Sequence, residues 1–366
     1  MNISSVSSKD YEKIKNLFKR NNLQMIPFKR WKNLWQKNPG LKNKKVKWIK
    51  GWVIKKNKKI VGHIGNFPMQ YFLNKKPYFC SVMYGWVVDK QYRSQSVTLI
   101  KKCLSQKNVD FFLGAANNEK ANKIMKMIKV KEVPVKSLNY SLLIALNMQN
   151  IINYFFKNNF FPLKKFFLNF FSLLLLLLLG KKINHWENKF SVKNIVKCKE
   201  IDEQFNLLWT KIKNSQKNVL LFQRDKNWLN WHLDYFVKSK KAWIYLNIKN
   251  KKINGYSICI EKNNFKTGIK SALLIDLITF QESNKTSKDL IGANIKEAKK
   301  RNCDIFEFRG FNNEKISYMK FFNPFKKNLP NNPFCYKSNN KKLNKMLDQS
   351  KYWCPSYLDG DAIIGL

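Results

Sequence analysis

The stretch VVDKQYRSQSVTLIKKCL, residues 87–104, decides the fold. It opens on paired valines, passes through a basic polar turn and closes on an apolar-periodic run, which reads as strand, turn and helix. The turn nearly spells a phosphate-binding loop, with serine and threonine where glycine is expected. Downstream, DFFLGAANNEKANKIMKMIKV (110–130) supplies a second apolar strand followed by a second helix.

Outward from this stretch the chain repeats itself. DYEKIKNLFKR from Asp10 is echoed by DEQFNLLWTKI from Asp202, and the Trp31/Trp35 segment by that of Trp228 and Trp231. KNKKIVGHI with Gly62 returns as KNKKINGYSI with Gly255, and the segment of Asp110 and Asn117 returns with Asp304 and Asn312. The landmarks keep their order and nearly their spacing, so two homologous units are expected at 1–140 and 191–345. A connection occupies 141–190 and a tail 346–366. Each copy begins with an amphipathic helix, the first one capped by Ser8 or Asp10. It continues through a hairpin with an Asn-Lys turn, then an apolar strand, a helix and another strand. The expected fold class is therefore α/β or α+β, each unit a mixed, mostly antiparallel sheet flanked by helices.

That order, with a basic turn after the fourth strand, resembles the GCN5-related N-acetyltransferase (GNAT) superfamily. Val87, Val88, Asp89, Tyr92 and Arg93 match the family's strand end and turn, as do Leu99 and Ile100 in the helix. Ser96 and Thr98 depart from its glycines, Ile128 and Lys129 stand in place of its Gly-Phe, and the second copy keeps only Gly292 near the corresponding turn. The resemblance implies an acyl-CoA co-substrate whose pyrophosphate meets backbone N–H groups at a helix N-terminus, where the dipole also favours anions. It assigns Val88, Arg93, Ser94, Ser96 and Thr98 to that site. Two units in tandem, one without the signature, resemble the Fem-type peptidyltransferases and related double-GNAT proteins of bacterial surface polysaccharides. The ending YWCPSYLDGDAIIGL looks like that group's C-terminal signature.

N-acylation by such a fold requires deprotonation of an amine, polarisation of a thioester carbonyl and protonation of the departing thiolate. The resemblance places these groups around the splayed strands, where Tyr84, Asp89 and Asn117 lie. Asn117 would contact substrate or cap the helix that follows it. Glu307 and Arg309 alternate on one face of a strand, facing a cleft or forming a structural ion pair. Asp276 is a lone carboxylate in the apolar strand ALLIDLITF. Trp228 would stack on substrate or pack in the core. Asp359 and Asp361 would touch a cation or a substrate hydroxyl, or form an exposed acidic turn.

The chain's 366 residues carry a formal net charge of +47, which favours polyanionic partners. Arg20, Arg30, Arg93, Arg224, Arg301 and Arg309 are its only arginines among 70 basic residues, and this lysine skew reads as compositional drift more than nucleic-acid recognition. Seven scattered cysteines without CxxC spacing, together with His63, His185 and His232, imply neither disulfides nor a metal site. The N-terminus is no secretory signal, so the expected location is cytoplasmic. FFPLKKFFLNFFSLLLLLLLGKK (160–182) is short for a membrane span; with its lysine flanks it suits an interfacial helix at the inner face of the plasma membrane or a buried inter-domain helix. The leading expectation is a tandem-GNAT N-acyltransferase using acyl-CoA or an aminoacyl donor. Its acceptor would be an amino group of a cell-envelope saccharide or lipid-linked precursor. The alternative is a non-catalytic duplicated GNAT scaffold binding an anionic glycan or membrane surface.

Overall fold

The computed structural model describes residues 1–42, 48–115, 118–151, 190–264, 267–330 and 333–366. The apolar stretch 160–182 and Asn117 lie outside the described residues.

Two sheets form, and the repeat is visible in both. In the first, β2 (Gly51–Lys56), β3 (Lys59–Leu73) and β4 (Lys76–Val88) run antiparallel, and β5 (Phe111–Ala115) joins β4 in parallel. In the second, β10 (Ala242–Lys249), β11 (Lys252–Asn263), β12 (Lys270–Thr279) and β13 (Ile305–Arg309) repeat that arrangement. The Asn-Lys turns anticipated from the sequence close the hairpins at Asn57-Lys58 and Asn250-Lys251, and a third occurs at Asn74-Lys75. Both residues of each turn have positive φ, as a two-residue turn matching strand twist requires.

The sheets exchange strands beyond this common frame. β15 (Phe334–Ser338), from the end of the second repeat, pairs with β5 of the first sheet, and β7 (Tyr140–Ala145), from the end of the first repeat, pairs with β13 of the second. β6 (Lys131–Glu132) and β14 (Phe325–Asn328) then add to these exchanged strands. The two sheets are thus tied to each other by exchanged strands.

The helices form three layers around the two sheets. α4 (Ser96–Leu104) and α5 (Glu119–Met127) cover the outer face of the first sheet through Leu99, Ile100, Cys103 and Met125. Two helices of the second repeat, α8 (Asn284–Lys300) and α9 (Asn313–Lys320), cover the second through Leu290, Ile295 and Met319. Between the sheets lie α1 (Tyr11–Arg20), α2 (Phe28–Gln36), α6 (Glu203–Ser215), α7 (Lys226–Lys238) and the C-terminal tail. Ile14 and Leu17 face inward on α1 and are fully buried, each contributing roughly 1.5–3 kcal/mol. Asp10 accepts hydrogen bonds from the backbone and hydroxyl of Ser7 and pairs with Lys55, fixing the start of this helix. Trp353, Leu358, Ile363 and Ile364 bury the tail in the same central core.

Candidate active site

β4 and β5 pair only over Cys80–Val82 and Phe111–Leu113. Beyond those residues β4 continues on β3 and β5 continues on β15, so the two strands part and leave a fork in the first sheet. Where the fork opens, the β3/β4 register slips between Gly65–Tyr84 and His63–Val87. Gly85 sits in this bulge at φ +60°, and a Cβ there would meet the Phe18 ring at 2.8 Å. The buried ring of His63 donates from Nδ1 to the Gly85 carbonyl at 2.7 Å. Burial pushes this imidazole down to about 4, so it stays neutral.

At the open end of β4, Val88 is buried and Asp89 is held by Arg20 Nη2 at 2.8 Å and Asn21 Nδ2 at 2.9 Å. The basic turn is a 3-10 segment, Lys90–Gln95, running directly into α4. Neither Asp89 nor Gln95 caps these N-termini with its side chain. Helix-terminal N–H groups therefore lack a side-chain acceptor at the place where the positive end of the dipole lies. Arg93, Ser94 and Thr98 are exposed around it, while Ser96 is buried. The corresponding helix of the second unit, α8, is closed: Ser283 Oγ accepts from the Thr286 N–H at 3.3 Å.

The second fork is filled by the protein's own tail. β12 and β13 pair over Ser271–Leu274 and Ile305–Phe308, beyond which Leu358 donates its N–H to the Ile275 carbonyl at 3.1 Å. Gly310, at φ +86°, lies against the Tyr357 backbone, where a Cβ would come within 3.1 Å of the nitrogen. Arg309 reaches the Tyr357 hydroxyl and lies 4.3 Å from that ring's centre.

These contacts define the surroundings of four of the residues singled out from the sequence. Asp276 is fully buried and accepts from Arg224 Nε at 2.9 Å and Tyr256 Oη at 2.8 Å. Burial opposes its ionisation, yet Arg224 beside it holds the carboxyl below its ordinary value. It is the anchor of a structural ion pair rather than a group open to substrate. Arg224 extends the network to Ser356 Oγ at 3.1 Å and Asp359 at 3.5 Å, fixing the tail. Trp228 is 2% exposed and packs edge-on against Phe222 and Trp231, leaving no ring face for a ligand. Glu307 and Arg309 do share a strand face, 3.6 Å apart, but Tyr357 covers the guanidinium.

The tail then crosses to the first unit. Arg30 donates from Nη2 to the Ile363 carbonyl at 2.7 Å and lies 4.5 Å from the centre of the Tyr235 ring. Asp361, on this part of the tail, lies within electrostatic reach of Tyr84 of β4 and of Tyr357, and disfavours ionisation of both hydroxyls beyond what their burial does. Burial lifts the Asp361 carboxyl to about 7, whereas Asp359 is sequestered beside Arg224. The acidic turn is thus no exposed ending. An acidic pair inside an otherwise apolar tail was the signal for it. Of the remaining expected residues, Asn117 is outside the described set, and the neighbouring Asn118 caps α5 by accepting from the Ala121 N–H at 2.9 Å. Among the described residues, no group of His, Cys, Asp or Glu is placed to hold a metal, and no helix is long and apolar enough to cross a membrane.

No model of a protein family and no curated protein matches the chain. Solved structures do. A GCN5-related N-acetyltransferase from Anabaena variabilis ATCC 29413 is 11% identical with a TM-score of 0.56, covering 93% of this chain and 73% of its own. The N-myristoyltransferase of Saccharomyces cerevisiae with bound myristoyl-CoA is 17% identical with a TM-score of 0.54, covering 92% and 78%. A conserved protein from Enterococcus faecalis V583, described as a probable N-acyltransferase, is 12% identical with a TM-score of 0.56, covering 92% and 72%. At these identities the shared property is the fold, and that fold is two GNAT-like units in tandem.

Proposed function

We propose that the protein is an N-acyltransferase with one acyl-CoA site, in the fork of the first unit. The observation that carries this reading is the open β4/β5 fork ending at an uncapped, basic helix N-terminus, with Tyr84 near its inner end and the Asp361 carboxyl within electrostatic reach of Tyr84. The pyrophosphate of the donor meets the N–H groups at 90–98 and Arg93. The donor runs along β4 past the bulge, with its thioester beside Tyr84 and Met83. Asp361 takes a proton from the acceptor amine, nitrogen attacks the thioester carbonyl, and the C–N bond forms as the C–S bond breaks. Tyr84, kept protonated by burial, supplies a proton to the departing thiolate. Fold similarity to a myristoyl-CoA-bound structure supports a CoA donor over an aminoacyl one.

The acceptor we assign is an amino group on a cell-envelope saccharide or lipid-linked precursor. Support comes from the resemblance of the tandem arrangement and tail to double-GNAT surface-polysaccharide proteins, and from the lysine-flanked apolar sequence at 160–182. Calorimetry with acetyl-CoA and with aminoacyl-tRNA tests the donor, followed by thiol release on addition of an amino sugar. Binding of neither donor overturns the enzymatic reading. Salt-sensitive glycan or vesicle binding without thiol release would instead identify a non-catalytic scaffold.

A further inference from the structure

We propose that Met83 closes the inner end of the donor fork and restricts the transferred group to an acyl chain of a few carbons. The inference rests on the placement of acyl-CoA in the first unit's fork given above, and it names the class of donor.

Met83 follows Val82, the last β4 residue paired with β5, and Gly114 follows Leu113, its β5 counterpart. The two residues therefore flank the point at which the strands part. Met83 bends across that point. A Cβ on Gly114 would sit 2.7 Å from the Met83 methyl and 3.0 Å from its Cβ, so the methionine occupies the volume that any other residue at 114 would fill. A donor anchored at the turn after Val88 runs back along β4. Five residues at about 3.3 Å each bring its thioester end roughly 16 Å inward, to Met83.

The space past Met83 is occupied. On the α4/α5 face it packs in one cluster with Leu99, Cys103, Met125 and Cys335. Its cross-strand neighbour is Asn66, a fully buried carboxamide that lies against the Cys103 thiol. An alkyl chain threaded past Met83 would have to part this packing and lie against an amide. Methionine is also the side chain most easily displaced or truncated at such a place, because it is unbranched and fills gaps without dictating backbone.

Calorimetric titration of the full chain with CoA, acetyl-CoA, octanoyl-CoA and myristoyl-CoA tests the proposal. The native protein is expected to bind CoA and acetyl-CoA within a few-fold of each other, and octanoyl-CoA and myristoyl-CoA at least tenfold more weakly. Met83→Ala should tighten octanoyl-CoA about tenfold while CoA itself is unchanged. Met83→Val, which suits a strand, should move preference the same way and guards against failure of the alanine variant to fold. Native affinity for myristoyl-CoA above that for acetyl-CoA overturns the proposal. So does an unaltered chain-length profile in variants that still bind CoA. Failure of the native protein to bind CoA at all removes the donor reading together with this inference, and the CoA titration reads that outcome separately.

Discussion

At Asp361 the tail places a carboxyl within electrostatic reach of Tyr84 and Tyr357, and burial lifts its titration to about 7. A base with that value is half ionised near neutrality, which suits proton removal from an amine. The rate under donor saturation should therefore rise with pH through about 7 and level off above it. Asp361→Asn should remove that limb and lower the rate 10²-fold or more, while acyl-CoA affinity stays within a few-fold. A variant that retains both the limb and the rate would exclude Asp361 as the base. Asp276 behaves in the opposite way because Arg224 touches it. Asp276→Ala strands a buried guanidinium and should cost about 3–5 kcal/mol in urea unfolding. In the sequence Asp276 is conspicuous as a carboxylate in an apolar run, but its partner lies 52 residues away. That separation is why the residue type was legible and its structural role was not.

The β4 bulge is held by a buried neutral imidazole, and a second buried histidine, His232 on α7, likewise donates from Nε2 to the Leu358 carbonyl at 3.0 Å. Burial depresses His63 to about 4 and His232 to about 3, both below the ordinary 6.5. Between the folded and unfolded values the unfolded chain binds the proton and the folded chain does not. Stability from these groups is thus complete above about pH 6.5 and declines as pH falls toward 4. Each contributes a slope of up to about 1.4 kcal/mol per pH unit. His63→Gln keeps a side-chain donor and cannot titrate, so urea midpoints measured from pH 7 to 5 should fall less steeply than in the native chain. An identical slope would show that His63 titrates normally. At the same scale the turn at 90–95 and its helix were readable from 87–104, because hydrophobic period and breaker residues are local signals. The bulge was not, since it exists only as a register slip against β3.

For the whole molecule, the duplication gives two forks, and the tail fills one of them. The first fork is open toward α4; the second holds Tyr357 and Leu358, and its helix is capped by Ser283. The repeats could be counted from Gly62 and Gly255, but the exchange of β7 and β15 could not, because an alternating strand pattern does not name its partner. Nor could the tail's course: Trp353 to Ile364 carries a recognisable signature and an acidic pair, but its path is set by Arg224 and Arg30, which lie far away in sequence and fix its two ends. The consequence is a stoichiometry. Titration with acetyl-CoA should give one site per chain, and Arg93→Glu, which reverses charge beside the uncapped helix, should weaken that site about tenfold or more without exposing a second. Two equivalent sites in the native protein would mean that the tail leaves the second fork. One site unaffected by Arg93→Glu would put the pyrophosphate elsewhere. On the proposed reading, the tail that fills the second fork also carries the base of the first, Asp361, so closure of one site and equipment of the other would share one segment.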